Sequence, residues 1–261
     1  MSLRSTLGTV RRTWLSSCHR RTVALENSVP FVSFTFDDFP RSAYTTGGAI
    51  LRNLGIRGTY YVAMGLVNTS NDLGDQFRIE DLHAAAAEGH ELATHTFSHH
   101  SSRRVSLGAF QEDVRKGRSA VREIAGLGVS QNFAYPYGEA TLAAKQALGK
   151  EMMSCRGIYG GWNGPVVDLN LLKANSLYGN IDRLKTMERM ILENEKRKGW
   201  LIFYTHDVRQ NPSAYGCTPE LLESAGRVAR SGATILPVAE VLQHLVGTEP
   251  VLSDNAPGRI S

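Results

Sequence analysis

No stretch of this chain approaches the roughly 18 consecutive apolar residues that a membrane-spanning helix needs. Cysteine is scarce as well: Cys18, Cys155 and Cys217 stand far apart, and no CxxC pair occurs. That scarcity excludes a disulfide framework and a cysteine metal site. The odd count suits a reducing compartment, so the cytoplasm is the expected location. A secretory leader is not expected in residues 1–22, because arginines break every apolar run before it reaches the roughly 7–15 residues a leader core uses. A GxGxxG after the first apolar strand is lacking, which argues against dinucleotide binding. No internal repeat points to a solenoid. Finally, the main body carries no excess of either charge. The formal charge is +4, but Arg4, Arg11, Arg12, Arg20 and Arg21 supply +5 in an acid-free stretch. From residue 23 onward 24 basic residues face 25 acidic ones, so nucleic acid is not an expected partner.

What is present is the composition of a globular protein, 42% hydrophobic and 21% charged, able to bury a full core. Short β-rich runs alternate with amphipathic stretches. Strands are expected at Phe31–Phe36, Thr59–Ala63, Glu91–Thr94, Asn132–Tyr135, Met152–Cys155, Leu172–Leu177, Trp200–Thr205 and Ala233–Leu236. Helices are expected at Ala43–Leu54, Ile79–Glu88, Leu107–Ala125 and Ile181–Lys198. A further helix begins at Thr218-Pro219-Glu220, with threonine as cap and proline at the first helical position. This alternation predicts an α/β fold with a parallel sheet, as a closed or nearly closed barrel or as an open doubly wound sheet. The expected organisation is a basic arm over residues 1–28, a catalytic domain over 29–247 and a loose tail over 248–261. In the arm, Leu3, Leu7, Val10 and Trp14 fall near helical spacing, which suits packing on the domain or lying on a membrane surface.

Four short motifs sit at the ends of expected strands. Asp37 and Asp38 close the first; alone, such a pair reads as an acidic turn or a helix cap. His95 and His99, four residues apart, suit chelation of one cation on a helical turn. Position 96 is threonine, not the glutamate of the zinc-protease motif, so a base must come from elsewhere. Tyr135-Pro136-Tyr137-Gly138 is a stiff turn that permits close backbone approach to a ligand. His206 ends the apolar run Trp200–Thr205. All four lie where barrels and open α/β sheets assemble their active sites.

In these four motifs, over roughly Pro30 to Leu245, the chain resembles the polysaccharide deacetylases with a NodB homology domain, carbohydrate esterase family 4. The resemblance implies a distorted barrel of about seven parallel strands. It implies a divalent metal, zinc above all, with cobalt, nickel or manganese also suited to two histidines and an aspartate. Asp38, His95 and His99 would hold it. Asp37 would be the general base and His206 the general acid, and the Tyr137 backbone N–H would bind the oxyanion. The implied reaction is hydrolysis of N-acetyl groups on an oligo- or polysaccharide. The rival readings are an O-acetyl esterase or non-sugar amidohydrolase, and a carbohydrate-binding protein that has lost catalysis. The chain departs from the family where Ala134 stands in place of an arginine that orients the base. Arg156, just after the Met152–Cys155 run, is the expected substitute partner of Asp37; a surface ion pair is its other reading. Asp168 is a candidate for the acid that orients His206. Trp162, in the Gly160–Gly164 loop, is the candidate sugar platform.

Overall fold

A computed structural model describes residues 15–125 and 131–246. Its spine is β1 (Phe31–Asp38), buried on both faces along its whole length, as a central parallel strand must be. Around it stand β2 (Thr59–Val62), β3 (Glu91–Thr94), β4 (Asn132–Ala134), β5 (Ser154–Arg156), β6 (Asn175–Ser176), β7 (Trp200–Thr205) and β8 (Thr234–Ile235). The order is β6-β7-β1-β2-β3-β4-β5, every pair parallel, in a strongly curled half-barrel. The short β8 pairs with Phe31 and Val32, while β2 takes up the pairing from Thr35. Of the two sheet forms the sequence allows, the chain adopts the distorted barrel.

Alternation along the strands decides which side chains reach the interior. Val32, Phe34 and Phe36 of β1, with Leu201 and Phe203 of β7, join the outer core under the helices. These helices are α1 (Ala49–Asn53), α2 (Ile79–Ala87), α3 (Leu107–Ala125), α5 (Leu184–Arg197) and α6 (Pro219–Gly232), while α4 (Leu142–Leu148) packs in a separate cluster with Phe110 and Phe133. The intervening Phe31, with Trp200, Ile202 and Tyr204, turns to a second cluster that includes Val238, Val241 and Leu242 of α7 (Val238–Val246). Asp37 is in phase with Phe31, Ser33 and Thr35, so the pleat points it inward. That placement follows from a period of two.

The seventh helix closes the N-terminal end of the sheet. Its first N–H groups, orphaned by helix geometry, donate to Thr59 Oγ1 (2.9 Å, from Val238) and Glu91 Oε2 (2.8 Å, from Ala239). Glu91 also accepts from Asn132 Nδ2 at 2.7 Å. The opposite, C-terminal end is left for chemistry.

Several elements differ from the sequence expectation. The region Ala43–Leu54 begins as a wide turn over Ala43–Gly48 before α1. β5 starts two residues late, because the Met152 and Met153 carbonyls are engaged by Arg21 Nη2 (2.7 and 2.5 Å). Only Asn175–Ser176 of the expected Leu172–Leu177 strand pairs with β7. Helices α4 and α7 were not anticipated. Residues 15–28 of the expected arm lie against the domain: Thr22–Ala24 pairs antiparallel with Val166–Asp168, and the buried Lys145 donates to the Leu15 carbonyl at 2.9 Å. Leu3, Leu7, Val10, Trp14 and the 248–261 tail lie outside the described residues.

His90, just before β3, is buried and accepts the Gly58 N–H at Nδ1 (3.0 Å). Burial lowers its pKa below the ordinary 6.5. The unfolded chain therefore binds more protons near and below pH 6.5, and stability is lost as the pH falls from there toward the depressed value. Each pH unit crossed costs up to about 1.4 kcal/mol. In His90→Asn, which keeps an acceptor for Gly58, the melting temperature should fall less steeply between pH 7 and 5. Identical slopes in the two proteins would assign the acid sensitivity to other groups.

Candidate active site

After β1, β3 and β4 the backbone leaves the strands in strained conformations. Asp38 (φ 64°), Phe39 (71°), Thr96 (67°), His99 (54°) and Tyr137 (58°) all occupy the left-handed region without being glycine. Each such residue costs on the order of 1–3 kcal/mol and persists only where its surroundings over-determine it. The strain does geometric work. Turning back at Asp38 breaks the strand alternation, so two successive carboxylates face one cavity. Turning at Thr96 and His99 folds the His95–His99 segment over the same point. Helix α3 presses on that segment so closely that a Cβ at Gly117 would lie 2.5 Å from the Thr96 carbonyl. Asp113, on the same helix, accepts from Ser98 Oγ (2.8 Å) and the Ser98 N–H (3.1 Å), while its own carbonyl takes the Phe97 N–H (3.0 Å).

One ligand atom from each of Asp38, His95 and His99 lies within 4.8 Å of the other two. His95 Nδ1 is 2.8 Å from the Ala134 carbonyl, which can only accept, so Nδ1 carries the proton and Nε2 presents a bare lone pair. Burial pushes the His95 pKa down to about 4, which keeps the ring neutral as a ligand must be. Asp38 Oδ1 sits 3.0 Å from His99 Nε2 and 3.5 Å from His95 Nε2, yet it is buried and makes no hydrogen bond. Burial would raise this carboxyl, but the His99 contact and the nearby His95 and His206 outweigh it and hold it well below the usual range. A buried anionic oxygen without a donor, facing two imidazoles, fits a divalent cation. Two nitrogens and one oxygen are a donor set for zinc, cobalt, nickel or manganese alike.

Asp37, Asp38, His95, His99, Tyr137 and His206 line one cavity of about 850 Å³. A second hollow of about 730 Å³, between Arg41 and the start of α2, holds none of the motif residues. Arg156 is buried beneath the first. Its Nη2 donates to Asp37 Oδ1, its Nη1 donates to the Gly157 carbonyl (3.0 Å), and its guanidinium lies over the rings of Tyr61 (4.8 Å) and Tyr204 (5.2 Å). The Asp37 charge keeps the guanidinium protonated against its burial. His206 Nδ1 is 3.1 Å from the Tyr215 carbonyl. The Tyr137 ring, more than half exposed, lies 4.6 Å from that of His99.

Two candidates stand elsewhere. Trp162 does not line the cavity: its indole N–H donates to the Met190 carbonyl of α5 (3.2 Å), and Arg197 covers its ring at 4.9 Å. The glycine loop folds the expected platform residue against the core. The Asp168 carboxylate is taken up by Lys145 (2.8 Å) and by the Arg21 N–H (3.1 Å), so the partner of His206 is a main-chain carbonyl and not this acid. A carbonyl has no side-chain signature, so sequence reading could not find it. Burial pushes the Cys155 and Cys217 thiols up to about 12, so neither supplies a thiolate nucleophile near neutral pH.

Residues 25–154, roughly half the chain and all of the first three motifs, match the family model for polysaccharide deacetylase. The chain belongs to that family. Solved structures with the same fold include the Xyl-CE4 domain of a multidomain xylanase from the hindgut metagenome of Trinervitermes trinervoides, at 17% identity and TM-score 0.58, covering 87% of this chain and 96% of that one. The chitin deacetylase of the fungal pathogen Colletotrichum lindemuthianum superposes with TM-score 0.57 at 16% identity, over 83% of this chain and 89% of that one. A family 4 acetyl xylan esterase from Clostridium thermocellum, in complex with a cobalt ion, gives 0.55 at 18%, over 82% and 90%. No curated protein sequence matches the chain. Polysaccharide deacetylases are in general metal-dependent hydrolases, and this member carries a possible Asp-His-His metal site.

Proposed function

We propose that this polysaccharide deacetylase is a metal-dependent N-deacetylase acting on an N-acetylated oligo- or polysaccharide. The observation that carries the reading is the meeting, in one cavity, of Asp37 and His206 with the Asp38-His95-His99 cluster. A divalent cation held by those three side chains would polarise the acetyl carbonyl as a Lewis acid and make water a stronger acid. The protein's own groups carry the protons. Asp37, fixed by Arg156, accepts one from the water whose oxygen adds to the acetyl carbon. The backbone N–H of Tyr137 donates to the oxygen that gains charge. The protonated His206 ring, with its Nδ1–H held on the Tyr215 carbonyl, gives the Nε2 proton to the amide nitrogen as the C–N bond breaks, leaving acetate and a free amine. That last transfer favours the amide reading, because an unprotonated amine is a very poor leaving group and a general acid contributes about 10²–10⁴-fold.

Acetate released by the metal-loaded protein from an N-acetylated chito-oligosaccharide and from acetylated xylan, measured side by side, tests this. Release from the first that stops with a chelator and returns with a divalent cation is expected. Release from xylan alone would make the protein an O-acetyl esterase. Bound metal without release from either would leave a carbohydrate-binding protein.

A further inference from the structure

We propose that Asp207 is a positioning residue that sets the ring of His206 through the Ser213–Tyr215 loop. This rests on the reading of His206 as the group that protonates the leaving nitrogen. The Asp207 carboxylate is fully buried immediately after His206. Its Oδ2 accepts from Arg209 Nε (2.7 Å) and from the Ser213 N–H (2.8 Å), and its Oδ1 accepts from Ser213 Oγ (2.5 Å). Ser213 Oγ in turn accepts the Tyr215 N–H at 3.1 Å. The Tyr215 carbonyl then accepts the main-chain N–H of His206 and faces its Nδ1, both at 3.1 Å. Because a carbonyl has no proton to give, Nδ1 must carry the hydrogen, which leaves Nε2 as the ring nitrogen open to the cavity.

A neutral carbonyl orients an imidazole by its position more than by charge, so what holds the loop decides the ring. Here the loop closes tightly on the Asp207 carboxylate. A Cβ at Gly216 would lie 2.3 Å from Asp207 Oδ1, and the Cys217 N–H donates to the Asp207 carbonyl at 2.9 Å. The same carboxylate reaches a second wall of the cavity. Arg209, fixed on it, donates from Nη2 to the Asp72 carbonyl (3.2 Å), in the segment where Asn71, Asp72 and Leu73 line the cavity. Three donors converge on two acceptor oxygens, which an amide cannot reproduce: in Asp207→Asn one of them meets an NH₂ group.

The test uses the full chain with ¹⁵N-labelled histidine, the His206 resonances being assigned by their loss in His206→Gln. In the parent, the His206 ring is expected to carry its proton on Nδ1 while neutral. In Asp207→Asn and in Ser213→Ala, both folded by circular dichroism, the ring is expected to become a mixture of the two tautomers. With the chito-oligosaccharide, Asp207→Asn should lower kcat by about tenfold or more with KM little changed, as expected for a lost outer-shell orienting group. In the His206→Gln background the same substitution should cost less than about twofold, since both changes act through one ring. An unaltered tautomer in folded Asp207→Asn would overturn the proposal. So would an equal loss of kcat in both backgrounds, which a merely structural role produces. If the tautomer shifts but His206→Gln alone leaves turnover intact, the positioning role stands and the reading of His206 as the acid fails.

Discussion

Replacing Asp38 with alanine is expected to abolish stoichiometric metal binding and to lower acetate release by at least about 10³-fold. Asp38 is the only anionic member of the Asp38-His95-His99 cluster, and its Oδ1 is the buried oxygen left without a hydrogen-bond donor. Losing it leaves two neutral imidazoles, one of them held as a ligand by the Ala134 carbonyl, and a divalent cation with no counter-charge in a mostly buried site. Alanine at residue 38 keeps the left-handed backbone and loses a carboxylate that the neighbouring histidines stabilise, so the variant is compared with the parent at a temperature where both are folded. Metal content per chain, measured on parent and variant purified alike, decides the matter. Equal stoichiometry in the two would place the metal elsewhere and remove the basis of the proposed chemistry.

The second large effect belongs to Arg156→Ala, for which turnover should fall by about 10²-fold, within the range that a general base contributes. The guanidinium is the cation paired with the buried Asp37 carboxylate, and its removal strands that charge. Breaking one half of a buried pair costs about 3–5 kcal/mol, so activity must be read at a temperature where the variant is folded. Arg156→Lys should not restore the rate, since one ammonium cannot serve Asp37 and the Gly157 carbonyl while lying between the rings of Tyr61 and Tyr204. Arg197→Ala, a mostly exposed arginine covering Trp162, is the control. If both alanine variants turn over at the same rate, Arg156 has no part in the reaction.

How legible this site was depended on the kind of group involved. Asp37, Asp38, His95, His99 and His206 were visible because each ends an apolar strand, and strand ends gather at one rim. The reach of Arg156 to Asp37 could be anticipated because it follows a neighbouring run, although β5 begins two residues later than the apolar pattern suggested. What could not be read was the orienting of side chains by main-chain carbonyls. The Ala134 and Tyr215 carbonyls orient two histidines, and neither residue's side chain announces it. Trp162 failed for the opposite reason: an indole in a glycine loop looks the same whether it meets a ligand or α5. The fold class followed from alternation, but the short strand Asn175–Ser176 and helix α7 did not. Their assignment depends on tertiary pairing with β7 and on capping by Thr59 and Glu91.

The position of β1 at the middle of the sheet has a consequence for biosynthesis. All three clustered ligands are translated by residue 99, yet β1 gains its neighbour β7 only when Trp200–Thr205 has been made. At about 5–20 residues per second the ribosome needs on the order of 5–20 s for that interval. Throughout it, one edge of the eight-residue strand β1 lacks its β7 partner. A nascent chain stalled in this window leaves that edge free to pair with another chain. The stretch between residues 99 and 200 is therefore where slowed translation or chaperone depletion would do most harm to the yield of folded protein.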